Sequence, residues 1–240
     1  MKLPALANGR ILKRYKRFLA DVELDNGELV VAHVPNTGRM TGCWKPGAPV
    51  QLSHSDNPRR KLAWTLERVD MGNGWVGVNT QRTNPVVEEA LVRNRVSLLD
   101  GYGRIEREKV PPLEGRRSRL DLFLSRGRDA DAWIEVKNVT LLEGDCLAFP
   151  DAVSVRGSKH LRDLQLLVAK GYRAVILYAL NRPEGGCFHP AAHVDPGYAR
   201  LLREVVTAGV EVLALRLRHT DREIVVAESV PVMLDGSVTG

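Results

Sequence analysis

Arg119-Leu-Asp121-Leu-Phe-Leu124, followed after a turn-rich spacer by Trp133-Ile-Glu135-Val-Lys137, is the stretch on which the architecture of the second half depends. Both segments are short, largely apolar and bounded by polar residues, the pattern of buried strands. Side chains alternate along a strand, so Glu135 and Lys137 share one face while Ile134 and Val136 fall on the other. The spacer, residues 125–131, is long enough for a hairpin, which carries Asp121 towards Glu135. Two carboxylates converging on an apolar sheet need a counter-charge, and hard oxygen donors suit Mg²⁺ or Mn²⁺. Asp121 and Glu135 are therefore the candidate metal ligands, with Lys137 beside the metal and an attacking water. Metal-assisted phosphodiester cleavage requires such a set: a polarised phosphate, a water of lowered pKa and a cation facing developing charge.

Downstream of this pair the sequence alternates between elements. Residues 154–170 read as a helix, with Leu161, Leu164, Leu167 and Val168 on one stripe; 174–180 as a strand, 197–208 as a helix and 210–217 as a strand. Residues 132–142 read as one continuous strand. Gly171 and Gly209 follow the two helices as C-terminal stops. The alternation implies an α/β unit, a mixed sheet with flanking helices. A helix-turn-helix over 201–220 is rejected, because Val210-Glu-Val-Leu-Ala-Leu-Arg-Leu217 has the composition of a buried strand. Cys187, His189 and His193 lack the spacing and fourth ligand of a zinc site and read as a loop.

Upstream, residues 11–78 break into about five short β runs separated by turn residues. Phe18, Ala20, Val22 and Leu24 alternate with polar positions, and Asn26-Gly27 is a hairpin turn into Glu28-Leu-Val-Val-Ala-His-Val34. A small barrel follows, of the OB or the SH3-like type. The texture changes at Thr83-Asn-Pro85, where Pro85 can open a helix, so the chain divides into units of residues 1–84 and 85–240.

The charge is uneven. Residues 1–84 carry 13 basic and 7 acidic side chains and residues 85–240 carry 22 of each, so the whole net charge of +6 lies in the first unit. That asymmetry points to a polyanion, and Lys13, Arg14, Lys16 and Arg17 cluster there with Tyr15, cations and an aromatic fit to track phosphates and stack on bases. Phe18 reads as barrel core. Arg59-Arg-Lys61 extends the patch. In the second unit Arg156 and Lys159 sit at the start of a helix, where backbone N–H groups also favour anions. DNA, duplex or single-stranded, is the expected partner. The longest apolar run, residues 174–180, is far shorter than the roughly 20 residues that span a bilayer, and no secretory signal precedes it. No membrane association and a cytoplasmic location are expected, with Cys43, Cys146 and Cys187 as free thiols.

The Asp121, Glu135 and Lys137 spacing resembles the PD-(D/E)xK nuclease core, with Leu120 standing where a Pro is usual. That resemblance implies a further acidic residue from the preceding helix, and Glu89, with Glu88 next, is the candidate. Across nearly its full length the chain resembles the sugar fermentation stimulation protein A family. The resemblance rests on Arg14-Tyr-Lys-Arg-Phe-Leu-Ala-Asp21, Pro35-Asn-Thr-Gly-Arg-Met-Thr-Gly42, Ser118-Arg-Leu-Asp121, Ile134-Glu-Val-Lys-Asn-Val-Thr140, Phe149-Pro-Asp-Ala-Val153 and Arg156-Gly-Ser-Lys-His-Leu161. It implies an α+β two-domain protein: an N-terminal OB-like barrel and a C-terminal nuclease-like α/β domain. It also implies largely nonspecific DNA binding and a regulatory role in maltose or other sugar use. Two expectations result: a DNA-binding protein with a Mg²⁺-dependent nuclease-like site, or a nonenzymatic DNA-binding regulator on the same fold.

Overall fold

The computed structural model describes residues 1–234 and 238–239; positions 235–237 and 240, the end of the expected second unit, lie outside the described residues. Six strands make the first sheet: β1 (Leu6–Tyr15), β2 (Leu19–Leu24), β3 (Leu29–His33), β4 (Pro49–His54), β5 (Trp64–Asp70) and β6 (Trp75–Gly77). They run in the order β3-β2-β1-β4-β5-β6, and a second pairing of β3 with β5 at Ala32–Trp64 and His33–Thr65 closes five of them into a barrel. The hairpin from β2 to β3 turns at Gly27, whose φ of 83° is the left-handed conformation glycine adopts without steric cost. Ala20, Val22 and Leu24 point inward as their alternation requires, with Ile11, Leu52, Leu66 and Val76. Phe18 does not. It stands 46% exposed, because the alternation starts only with β2 at Leu19 and Phe18 belongs to the preceding turn.

Beyond the barrel the chain forms α1 (Thr83–Val92), β7 (Arg104–Lys109), β8 (Leu120–Ser125), β9 (Ala132–Val139), β10 (Leu141–Glu143), β11 (Cys146–Phe149), α2 (Val155–Ala169), β12 (Arg173–Leu180), β13 (Cys187–Pro190), α3 (Pro196–Thr207), β14 (Glu211–His219), β15 (Ile224–Ser229), β16 (Val232–Met233) and β17 (Val238–Thr239). A six-stranded mixed sheet runs β15-β14-β12-β9-β8-β7. Its centre, β9-β12-β14, is parallel and buried on both faces, which explains the uninterrupted apolar run of β12. On one face Trp133, Ile176, Tyr178 and Leu180 pack against α2 and α3; on the other Leu122, Ile134, Val175 and Leu177 pack against α1. Ser154 caps α2 through its hydroxyl to Gly157 N, and Asp195 caps α3. Gly171 and Gly209 follow the helices at φ of 86° and 100°. β14 occupies the segment weighed as a helix-turn-helix, so the strand reading of residues 210–217 holds.

The run 132–142 is not one strand. β9 stops at Val139, Thr140 turns the chain with its carbonyl accepting from Arg182, and β10 begins a second sheet, β10-β11-β13-β16-β17. Its strands of two to four residues are too short to show a period. In it, β11 and β13 run parallel with Cys146 opposite Cys187, and these two residues form a disulfide with Cα atoms 4.5 Å apart. Two of the three expected free thiols are therefore paired; their separation of 41 residues left no sequence signal. Cys43 is free and buried. Cys187 and His189 lie on β13 rather than in a loop.

The two halves are tied together at several points. Gly77 N donates to Asn181 O at 2.8 Å, the Arg68 guanidinium to Thr220 O at 2.6 Å, and Met40 N to the Asp151 carboxylate at 3.3 Å. Glu67, buried in the barrel, accepts both forks of Arg82, at 2.7 and 3.0 Å, just before α1. Residues 1–3 run not with the barrel but along the far sheet, with Leu3 N bonded to Arg222 O and Ile224 N to Met1 O.

Candidate metal centre and nucleic-acid interface

β8 and β9 are antiparallel, pairing Phe123 with Trp133 and Leu122 with Ile134. Continued by one residue, that register sets Asp121 opposite Glu135, so the hairpin delivers the two carboxylates as its length implied. Asp121 accepts from Val136 N at 2.7 Å and from the Asn84 side chain at 2.8 Å. Glu135 is 3% exposed. Its Oε1 accepts from Lys137 Nζ at 2.6 Å and meets Nδ1 of His160, which stands on α2; Lys137 and His160 are themselves 3.3 Å apart. Oε2 of Glu135 is buried with no hydrogen-bond partner.

Burial, then the charge of Glu135, pushes the Asp121 carboxyl up from 3.8 to about 6. Burial works on Glu135 in the same direction, but His160 and Lys137 outweigh it and hold Glu135 below the usual carboxylate range. The pair is thus asymmetric: one carboxylate compensated by two neighbours, the other pressed towards its neutral form. A cation held by both carboxylates would relieve that pressure and would give the orphaned Oε2 a partner. Among the described residues no group of three or more His, Cys, Asp or Glu side chains forms a cation cage. Two carboxylates nonetheless suffice for Mg²⁺, which keeps several waters and takes further oxygens from substrate phosphate. The donor set fits a hard divalent ion.

Glu89 is not brought to this centre. It pairs with the N-terminal ammonium at 2.8 Å and with Arg93 at 2.6 Å, while Glu88 pairs with Arg107. The residue of α1's first turn that reaches Asp121 is Asn84, an amide that a search for acids passes over. A lone histidine carries no periodic signal in the sequence; the place of His160 is set by α2 packing across β9. On the same helix Asp163 is fully buried, and its nearest cation is Arg116 at 3.4 Å.

Of the expected nucleic-acid-binding residues, Lys13, Lys16 and Arg17 are exposed, as are Arg156 and Lys159 on α2. Lys16 and Arg17 form the β1–β2 turn with φ of 49° and 63°, a left-handed pair costing on the order of 1–2 kcal/mol per residue. Arg14 holds that turn: its guanidinium donates to the carbonyls of Arg17, Asn36, Gly38 and Arg39 at 2.9–3.2 Å. Its charge is spent inside the loop. Tyr15 donates to Asp21 at 2.9 Å, so the exposed aromatic of this patch is Phe18. On the barrel flank a cleft of about 570 Å³ is lined by His33, Arg60, Lys61 and Arg82, which places part of the 59–61 basic run beside the approach to α1.

The profile described as "SfsA N-terminal OB domain" matches residues 12–78, and that described as "Sugar fermentation stimulation protein RE domain" matches residues 81–223. The chain belongs to the sugar fermentation stimulation protein family. A homologue from Syntrophotalea carbinolica is 49% identical over 237 residues, covering 98% of this chain and all of the relative. One from Geobacter sulfurreducens is 49% identical over 229 residues, covering 95% and 96%. The solved structure titled as Pyrococcus furiosus SfsA in complex with Ca²⁺ superimposes with a TM-score of 0.85 at 28% identity, covering 97% of this chain and 98% of that one. The N-terminal unit is therefore an OB domain, and the α+β two-domain architecture is that of the family. Among the described residues no helix is long and apolar enough to cross a membrane.

Proposed function

We propose that this protein binds DNA along the exposed basic turn of the barrel and the start of α2, and cleaves phosphodiester bonds at the Asp121, Glu135 and Lys137 centre. The observation that carries the reading is the buried carboxylate pair with an orphaned Glu135 oxygen and a lysine beside it. Residues 1–84 serve as the binding unit and 85–240 as the catalytic one. Asp121 and Glu135 hold a divalent ion, Mg²⁺ or Mn²⁺; the Ca²⁺ bound by the P. furiosus relative supports a hard cation here. The ion, when bound, supplies a polarised phosphate and a water of lowered pKa. Lys137, 2.6 Å from Glu135, orients the nucleophile or faces the charge that develops on the phosphate. His160 fixes Glu135 from the opposite helix, and Asn84 fixes Asp121. Lys16, Arg17, Arg156 and Lys159 track the phosphates, a role that requires charge and not sequence readout.

A second reading has one observation in its favour: Lys137 and His160 already neutralise Glu135 without a metal. On that reading the cluster is a structural ion network in a nonenzymatic DNA-binding regulator of sugar use. Incubating the protein with labelled duplex DNA, single-stranded DNA and RNA in Mg²⁺, Mn²⁺ or chelator separates the two. Metal-dependent cutting lost in Glu135→Ala and Lys137→Ala, with binding kept, establishes the nuclease. Binding without cutting on every substrate and metal establishes the regulator.

A further inference from the structure

Two stretches that the sequence singles out, residues 35–42 and 149–153, have no part in the centre just described, yet the fold brings them together. They face each other across a cleft of about 340 Å³ between the barrel and the second domain. Asn36, Thr37 and Gly38 form one wall with Arg17; Asn138 and Val139 at the end of β9, Thr140 just past it and residues 148–154 form the other. Asn138 follows Lys137 on β9 with its side chain turned to the other face, towards Thr83 and Asn181, so the cleft lies at the end of the strand that carries Glu135 and Lys137.

Its lining carries unspent hydrogen-bonding capacity. Asn36 is 8% exposed and Thr140 7%. Asn36 uses its Oδ1 on Gly38 N at 2.9 Å, and Asn138 uses its Oδ1 on Thr83 and Asn181. Nδ2 of both and the Thr140 hydroxyl have no partner among the described residues. None of these three atoms is sealed from solvent; each stands open to the cleft, where the polar edge of a ligand can meet it. Val139, Phe149 and Pro150 supply apolar wall, and Arg17 and Asp151 contribute one charge of each sign. A neutral, flat, polar-edged group suits such a lining better than a phosphate does. The walls are also held in place. Arg14 braces the turn that carries Arg17, and a Cβ on Gly38 would stand 2.5 Å from the Asp151 carboxylate, so the loop docks closely only with glycine there.

We propose that this cleft receives one unpaired nucleobase of the strand held at the catalytic centre. The Asn36 and Asn138 amides and the Thr140 hydroxyl read its edge, and Phe149 and Pro150 flank it. This rests on the nucleic-acid reading above. A base inside a duplex has its edge occupied by its partner, so the cleft selects unpaired or extruded nucleotides, which are read by that edge and by apolar contact.

The test compares the full-length protein's affinity for two labelled duplexes of one sequence, one bearing a single extra unpaired adenosine and the other an abasic residue at that position. Anisotropy is read in Ca²⁺ and in chelator, independently of cutting. The base-bearing duplex binds about thirtyfold more tightly, three hydrogen bonds at roughly threefold each. Thr140→Val removes only a hydroxyl, and Asn36→Asp keeps the bond to Gly38 N while removing the donor. Each cuts the base-to-abasic ratio by about threefold, with melting temperatures confirming that both variants fold. A ratio near one in the wild type, or a ratio unchanged by both substitutions, overturns the base pocket. Failure of the underlying nucleic-acid reading looks different, since neither duplex then binds at all.

Discussion

The joint between the two domains should be sensitive to acid at one residue. His219 ends β14 and meets Asn181 at 2.5 Å, directly under Gly77 of the barrel, where the absence of a side chain lets β6 lie against this pair. Burial, reinforced by the Arg68 guanidinium, drives the imidazole down from 6.5 to about 3. In the unfolded chain the same group takes up a proton near its ordinary value, so between pH 6.5 and about 3 the unfolded state binds more protons than the native one and stability falls as pH falls. From pH 7.5 to 5 the unfolded imidazole gains nearly its full proton while the native one stays neutral, a loss of about 2 kcal/mol at ~1.4 kcal/mol per pH unit over roughly 1.5 units. For a chain of this size that is about 4–8 °C in melting temperature. His219→Gln keeps a donor for Asn181 and cannot be protonated, so its loss over the same interval should be smaller than the wild type's by that amount. Thermal and urea unfolding of both proteins at the two pH values give the difference, in which carboxylates common to both cancel. Equal pH dependence in the two would refute the argument, because the imidazole would then not be held neutral by its surroundings.

Other consequences are as direct. In chelator-treated protein, adding Ca²⁺ or Mg²⁺ should raise the melting temperature of the wild type and leave Asp121→Asn and Glu135→Gln unmoved, a shift calorimetry reads without any substrate. Lys137→Ala should lower metal-dependent cutting at least about 100-fold, as loss of one charge-stabilising group does, with filter-binding affinity for DNA little changed. Arg82→Ala strands the buried Glu67 carboxylate, which accepts from Ser53, Asn79 and Arg82 and lies below its usual range, and should destabilise by about 3–5 kcal/mol in urea titrations. Removing Arg17 or Lys16 should weaken binding of all sequences alike and flatten the salt dependence by roughly one unit of slope each, whereas Arg14→Ala should instead show as lost order in the loop that Arg14 binds.

Where a single element carries its own period, the sequence shows it. β12 is an unbroken apolar run, α2 repeats leucine at helical spacing between Ser154 and Gly171, and Glu135 and Lys137 two apart on β9 share a face by strand geometry alone. Asp121 became legible because a short spacer leaves a hairpin little freedom. What stayed hidden depends on contacts between distant elements. Glu89 and Glu88 are equivalent acids on paper, and only the docking of residues 1–3 along β15 shows Glu89 engaged with the N-terminus. β7 reads Arg-Ile-Glu-Arg-Glu-Lys, an edge strand whose charges face solvent and erase the apolar signal. The Cys146–Cys187 bond arises from the parallel register of two four-residue strands, which no local pattern encodes.

The same distinction explains why the site was half visible. Its two carboxylates and lysine lie on one hairpin, but further groups that set their chemistry come from elsewhere: His160 from α2 and Asn84 from α1. A hairpin alone would hold Asp121 and Glu135 against each other with only Lys137 to separate their titration. With α2 in place, Glu135 stays ionised through His160 and Lys137 and the burden falls on Asp121. Asp121 is therefore the group that a bound cation would relieve most. His160→Ala tests that coupling. It leaves both carboxylates and Lys137 in place but removes one of the two partners of Glu135, so divalent-ion affinity measured by calorimetry should change together with its pH dependence. If ion affinity were indifferent to His160, the histidine would be core packing and the asymmetry of the pair would have to come from Lys137 alone.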